Sequence, residues 1–530
     1  AGLVLLLACA NVANLTLSRQ IKRGHELAIR AALGASRARV FRQLLTESVA
    51  LAVAGGTLGL LVAAGGINLL VAFAARFTPS TAAIRIDGAV LLFTLGISLA
   101  TGVIFGSIPA FASREALASV LNQGGGRVSG SSKHRFRNAL VTAQVAISFV
   151  LLIGAGLMLR TLVKLQSVDA GFHAENVLSS QVSLNFTKYR DSKASIGFYT
   201  TLLDRLSHQP GVQSAAVSMT VPLDNQMGSM DGQVEIEGRP TPAGTPAPKV
   251  DSRVVSPQYF STMGIPLLAG RDFTDGDSAE APKVAIINQS MARHNWGQSN
   301  SAQGNPVGQR ISGDDGKTWI TIVGVVGDVR QYALNRPATD ELYVPLRQNV
   351  LLGANVLVRT AGNPMLMSRD VMRLVHDIDP LQPVTRVYTL EQIRSEWLAS
   401  PRLTALLITL FAGLALLITI AGISGVMALA VSQRTREIGI RMALGATKAS
   451  VMRMVLWQGM LLVVIGVALG IAGAPPLTRL MSDLLFGVRP TDPLTFFLVG
   501  LTLLTVAALA CLVPSRRAAS VDPMLALRNE

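Results

Sequence analysis

The chain has 530 residues, half of them hydrophobic and only 15% charged, and a positive mean hydropathy, a composition for which lipid is the expected solvent. Its formal net charge of +15 is not spread along the chain: residues 164–402 carry 22 Lys/Arg against 23 Asp/Glu, and the excess lies beside the apolar runs, which excludes nucleic acid as the partner. The two cysteines, Cys9 and Cys511, sit inside apolar runs and read as core thiols, which excludes a disulfide framework.

In chain order, the sequence opens without Met in AGLVLLLACANVANLTLS, with no basic stretch ahead of it as a signal peptide requires; this is the pattern of a fragment. Residues 1–18 read as the remainder of one span. Charge-free runs at 48–75, 88–113, 138–159, 403–433, 454–478 and 493–515 are each long enough, at about 1.5 Å per residue, to cross about 30 Å of hydrocarbon. The expectation is a polytopic α-helical membrane protein with about seven transmembrane helices and an α+β extracytoplasmic domain of two lobes. Threading the chain alternately puts 19–47, 114–137, 434–453 and 516–530 on one side with 20 Lys/Arg, against 4 in the short loops opposite. The basic side is cytoplasmic by the positive-inside rule, so 164–402 lies outside. The Ser/Gly-rich stretch Asn122 to Lys133 reads as a flexible linker. The resulting division is 1–121, a three-span part; 122–137, a linker; 138–163, a single span; 164–402, the extracytoplasmic domain; and 403–530, a second three-span part.

Within 164–402 the patterning predicts strand 177–184, helix 192–207, strand 213–219, strands near 233–237 and 248–255, and strand 284–288 leading into a helix with Trp296. Strands 319–326 and 354–359, helix 364–377 and strand 384–388 follow. This gives a β-α-β unit at each end with a β-rich insert between. Asp272, Asp275, Asp277 and Glu280 cluster in RDFTDGDSAE, but their spacing misses a calcium loop and reads as a solvated turn. His294 beside Trp296 reads as partly buried structure. Gly316-Lys317-Thr318 resembles the end of a phosphate loop, yet Ile311 stands where the first glycine is needed. No nucleophile triad or metal-ligand spacing rises above background.

Residues 1–60 and 412–471 align without a gap at an offset of 411, and ELAIRAALGASRARV matches EIGIRMALGATKASV at 9 of 15 positions. Four charges recur at the same spacing: Arg23, Glu26, Arg30 and Arg37, then Arg434, Glu437, Arg441 and Lys448. Separations of 3, 4 and 7 predict one helical face, with Glu26–Arg30 and Glu437–Arg441 as i,i+4 pairs, Ile29, Leu33, Ile440 and Leu444 facing lipid or neighbouring spans, and Gly34 and Gly445 ending the segment. A basic lipid anchor accounts for one such loop. It gives no reason for an acidic residue and a glycine repeated at fixed offsets, so a protein partner inside the cell is expected. The long run 403–433 suits transmission of motion across the bilayer, with Gly413, Gly422 and Gly425 expected to permit close packing or bending. No span holds an ionisable residue, which argues against an ion pathway.

The stretch RTREIGIRMALGA after a long span, two further spans and the ending VPSRRAASVDPMLALRNE together resemble the FtsX/MacB-type permease family of ATP-binding cassette transporters, and the repeat resembles its tandem form. The resemblance implies a two-lobed periplasmic core domain, a bacterial inner-membrane location, and a separate cytoplasmic ATPase subunit that binds the ATP, leaving this chain without a cofactor. It also implies a periplasmic adaptor or outer-membrane component, and coupling helices carried over onto Glu26, Arg30, Gly34 and Glu437, Gly439, Arg441, Gly445. The first copy departs from the pattern. His25-Glu26-Leu27-Ala28 stands where the second has Arg436-Glu437-Ile438-Gly439, and Ser113-Arg114-Glu115-Ala116 matches RRAASVDP only loosely, so weaker coupling is expected there. The leading expectation is a non-enzymatic permease subunit. The rivals are a transmembrane signalling scaffold regulating a periplasmic hydrolase, and a membrane-tethered enzyme.

Overall fold

The computed structural model describes residues 2–14, 16, 36–74, 87–104, 129–224, 230–239, 247–297, 304–314 and 316–520. Contacts divide the chain into Ala1–Lys164 with Pro401–Glu530, and Leu165–Ser400. Among the described residues the first part begins with α1 (Gly2–Asn14), α2 (Arg37–Ala74), α3 (Gly88–Ile104) and α4 (Ser129–Gln166). Among the described residues five helices are long and apolar enough to cross a membrane, α2 and α4 among them, whereas α1 and α3 are shorter.

Leu165–Ser400 contains β1 (Val177–Ser183), α5 (Ser192–Ser207), β2 (Val212–Ser218), β3 (Met230–Gln233), β4 (Glu235–Ile236), β5 (Lys249–Val255), α6 (Tyr259–Met263), β6 (Leu267–Gly270), β7 (Val284–Asn288) and α7 (Gln289–Trp296). It continues with β8 (Arg310–Ser312), β9 (Ile320–Val326), β10 (Glu341–Pro345), β11 (Gly353–Thr360), α8 (Ser368–Ile378) and β12 (Val384–Thr389). The two β-α-β units do not form separate ends. Their strands interleave in the order β12-β1-β11-β2, all antiparallel, the split β-α-β arrangement.

The reason lies in the helices. α5 starts where the Asp191 side chain accepts from the Lys193 amide, and it buries Ser195, Phe198, Tyr199, Leu202 and Leu206, one apolar stripe at helical spacing. α8 buries Val371, Leu374 and Val375 in the same way, and both stripes join one core with Leu178, Val182, Val356 and Val358. The insert β3–β10 has its own core around Ile287, Met291, Ile311, Ile322 and Leu342. A single residue pair, Ser218 with Val255, continues the sheet from β2 into β5. Beyond it β5 and β10 run parallel, with Arg253 opposite Tyr343.

The chain then forms α9 (Leu390–Gln433), α10 (Thr435–Ala443), α11 (Lys448–Arg479) and α12 (Pro493–Ala519). Residues of α4 recurring every fourth position, Val141, Val145, Phe149, Ile153 and Leu157, are almost fully buried against α9, α11 and α12. In lipid there is little hydrophobic gain from helix association, so close approach through small residues must carry it. A Cβ on Gly466 would lie 2.6 Å from Val145 Cβ, one on Gly470 would lie 2.8 Å from Phe149 Cδ1, and one on Gly459 would lie 2.7 Å from Cys511 Sγ. A Cβ on Gly422 would meet Gln144 as closely, at 2.7 Å, whereas among the described residues one on Gly413 or Gly425 would meet nothing within 4 Å, so of these three α9 glycines it is Gly422 that serves packing there. Ser148 and Thr419 hydroxyls bond at 2.6 Å inside the bundle. Cys511 is buried in this core, and Cys9 is half-buried.

Candidate functional site

The candidate site is the turn of chain between α9 and α11. Arg434 caps α10, whose single fully buried apolar side chain is Ile438, 1% exposed and part of the helical core. That residue anchors the short helix. Ile440 and Leu444, expected to face lipid or a neighbouring span, are 43% and 82% exposed. Glu437 and Arg441 pair at 2.6 Å with both side chains about half exposed. An exposed i,i+4 pair of this kind contributes about 0.3–0.5 kcal/mol, too little to explain its presence by stability alone. Arg441 also reaches Met454 Sδ at 2.8 Å, and Arg434 Nη1 donates to Gln458 Oε1 at 3.3 Å, so both arginines lean on α11.

α10 ends abruptly. Gly445 has φ +94°, the Gly445 amide donates to the Met442 carbonyl at 3.1 Å, and the Ala446 amide donates to the Arg441 carbonyl at 2.9 Å. This is the Schellman closure, which requires a left-handed residue and therefore favours glycine. Thr447 then caps α11, its side chain accepting from the Ser450 amide.

The four repeated charges consequently do not share one helical face. Glu437 and Arg441 lie on α10, Arg434 stands at its start, and Lys448 opens α11 beyond the Gly445 reversal. Gly439 is buried inside α10. Of the first copy, Arg23, Glu26, Arg30 and Gly34 lie outside the described residues, and Arg37 opens α2, as Lys448 opens α11 at the matching position.

At the other end of the bundle is a contact that sequence reasoning missed. Arg160 of α4 bonds Asp492, and Lys164 bonds the Gly487 carbonyl. Asp492 is also the cap of α12, accepting from the Thr495 amide at 2.9 Å and its hydroxyl at 2.6 Å. Asp-Pro directly before an apolar run was the available signal.

Inside Leu165–Ser400 the acidic turn is held by arginines. Asp277 accepts two bonds of 2.8 Å from Arg271, which hold its carboxyl below the usual range, and Asp275 pairs with Arg347 at 2.7 Å. His294 is not partly buried. Its side chain is 70% exposed and bonded to Asp340 at 2.9 Å, while Trp296 is the buried neighbour. Lys188, Tyr189 and Gln382 converge on Asp379, and the Lys188 bond, ahead of that from Tyr189, keeps its carboxyl far below the ordinary range.

Comparison with known proteins assigns both halves. The FtsX-like permease C-terminal model matches residues 1–116 and again 409–523, and the MacB-like periplasmic core domain model matches 140–366. Among curated relatives, the macrolide export ATP-binding/permease protein MacB of Shewanella oneidensis is 25% identical over 462 residues, covering 82% of this chain and 67% of the relative. The uncharacterized ABC transporter permease YknZ of Bacillus subtilis is 26% identical over 294 residues, covering 51% of this chain and 68% of the relative. The periplasmic region of MacB from Actinobacillus actinomycetemcomitans aligns with a TM-score of 0.29 and 17% identity, over 43% of this chain and 95% of that structure. With one model matching the permease segment twice, on either side of a match to the other, the chain belongs to the FtsX/MacB-type permease family of ABC transporters.

Proposed function

We propose that this permease docks on a cytoplasmic ATPase through α10 and its first-copy equivalent, and that ATP-driven closure of that ATPase moves the spans and the domain formed by 164–402 to export a substrate taken from the periplasm or the membrane. The observation that carries this reading is the construction of α10. One buried isoleucine fixes it to the bundle, a glycine closes it, and an acidic-basic pair of little stabilising value is left on its surface. Such an element transmits force because it is rigidly held, and it can recognise a partner because its charges remain exposed. The spans number about seven when the first-copy runs 1–18 and 88–113 are counted with the five long helices. The basic loops lie in the cytoplasm and 164–402 in the periplasm, with a periplasmic adaptor or outer-membrane component as a further partner.

Export is the activity named for the MacB relative, and this chain spans about two thirds of that protein. α9 supports the mechanical step: its 44 residues make about 66 Å of helix, more than twice the hydrocarbon thickness. The test is a charge exchange, Glu437→Lys with Arg441→Glu, in the full protein reconstituted with its ATPase. The exchange keeps an i,i+4 pair and so keeps the helix. ATP turnover stimulated by the permease is expected to fall at least about tenfold with membrane insertion unchanged; undiminished turnover rejects the docking assignment.

A further inference from the structure

The split β-α-β core and the core of the insert meet on two shared strands. On β5, Val254 packs into the first core and Val250 into the second. At β10, Leu342 lies in the core of the insert, while Leu346, just beyond the strand, lies in the other. β5 and β10 run parallel, with Asp251 opposite Glu341 and Arg253 opposite Tyr343. A charged pair is buried on this seam, Arg253 of β5 with Glu341 of β10, their side chains 3% and 0% exposed.

The pair is loosely made. Arg253 Nη2 stands 3.7 Å from Glu341 Oε1, beyond hydrogen-bond range, and neither atom has a hydrogen bond. Arg253 Nη1 instead donates to Thr220 Oγ1 at 2.6 Å, in the segment leaving β2, so the arginine on the seam also grips the first core. Glu341 Oε2 accepts from the Tyr343 hydroxyl and from Gln331 Nε2 at 3.1 Å, both neutral donors. Arg253 and Gln331 contribute to the wall of a cavity of about 500 Å³, which brings water to the edge of the pair.

A carboxylate buried in this way is costly to keep ionised. Burial, the largest influence, raises the Glu341 carboxyl, Arg253 and the bonds from Tyr343 and Gln331 lower it, Asp251 raises it again, and the outcome is about 7. The groups facing the pair are Asp251 on β5, Tyr343 on β10, Tyr259 on α6 and Tyr332 in the loop before β10, while β7 presents the Asn288 carboxamide, which accepts from the Glu341 amide at 3.0 Å. Asp251 accepts from the Tyr332 and Thr339 hydroxyls, each at 2.8 Å, and Asp340, next to Glu341, is bonded to His294 of α7.

We propose that this pair is a proton-operated fastening between the two cores of the periplasmic domain. With Glu341 ionised, Arg253 is held between it and Thr220, and the seam is closed. When Glu341 takes a proton, Arg253 loses its counter-charge, turns into the adjoining cavity where water solvates it, and lets the insert shift against the split β-α-β core. The domain then has two arrangements, selected by the acidity of the compartment it faces. This is a rearrangement and not acid unfolding. The folded chain holds the Glu341 proton more tightly than an unfolded chain, whose glutamate titrates near 4.5, so the stability this group contributes is fully present below about 4.5 and is lost as the pH rises through about 7.

The switch needs neither nucleotide nor ATPase, so it is tested apart from docking, on the full chain in detergent. Spin labels at Thr201→Cys on α5 and Lys317→Cys on the insert, both exposed positions, report the distance between the two cores once Cys9 and Cys511 are replaced by alanine. Between about pH 8.5 and about pH 5.5 the mean distance is expected to shift by about 2 Å or more, with a midpoint near 7. Glu341→Gln, which cannot ionise, is expected to show the acid distance throughout. Should that variant fail to fold, Thr220→Val decides, because it removes the grip on the first core and is expected to bring the acid distance to about pH 8.5. A distance independent of pH, a Glu341→Gln variant that still shifts, or a Thr220→Val variant that behaves as the parent overturns the proposal.

Discussion

Helices α2 and α11 are two copies of one sequence pattern, and they differ in how they are packed. Arg37 and Lys448 open them at the matching position, 411 residues apart, after Ser36 and Thr447, and the amides of Arg39 and Ser450 donate to the carbonyls of those residues at 2.9 and 3.0 Å. Gly55 and Gly59 of α2 correspond to Gly466 and Gly470 of α11. In α11 these glycines are notches into which Val145 and Phe149 of α4 fit, whereas in α2 neither has a neighbour within 4 Å among the described residues. A glycine in a helix costs about 1 kcal/mol relative to alanine, and α11 recovers that by contact. The same residues thus have a visible reason in one copy and an open face in the other. A shared sequence specifies the helix and its start, but the neighbour determines what its small residues are for.

The sharpest way to break this comparison is to fill the notches. Gly466→Leu is expected to destabilise the full protein by about 1–3 kcal/mol through overpacking, read as a lowered thermal midpoint in detergent, whereas Gly55→Leu should stay within about 0.5 kcal/mol of the parent. Equal losses would show that the α2 face is as tightly closed as that of α11. A smaller effect is expected at the helix ends. Gly445→Ala forces a side chain to φ +94° and should cost about 1–2 kcal/mol, measured in the same way. Gly34→Ala should match it if the first copy closes its helix as the second does. The smallest contrast is at the caps, where Thr447→Ala and Ser36→Ala should each lose about 1 kcal/mol; a silent Ser36→Ala would mean that the two helix starts are held differently.

Much of the fold was legible because periodicity and capping agreed. Helix 192–207 and strand 284–288 were read with the bounds they have, the first from its amphipathic stripe and the second from a short β-rich apolar run. The elements that escaped are instructive. β10 was not among the expected strands: a charged residue opens it and a proline closes it, so only three residues of strand character stand between them, yet it lies between β5 and β7 and buries its carboxylate. α6 has only five residues, too few for a helical period to register. At the candidate site the Glu437–Arg441 pair was legible from spacing and the helix end from Gly445. The inward residue was not: Ile438 and Ile440 are chemically alike, and only the packed bundle decides which one is buried. Lys448 was assigned to the same face because a regular helix was extrapolated through a glycine that reverses the chain.

The hydroxyl pair of Ser148 and Thr419 limits how the bundle can change shape. Sliding α4 past α9 by one turn, about 5.4 Å, would separate the two oxygens and strand both where no water can replace the lost partner. The same displacement would drag Val145 and Phe149 out of the hollows at Gly466 and Gly470 and set bulky side chains against helix backbone. Piston-like travel is therefore disfavoured, and the low-cost motions are those that pivot about this point: a tilt or a twist, with large excursions at the two membrane faces and almost none at mid-depth.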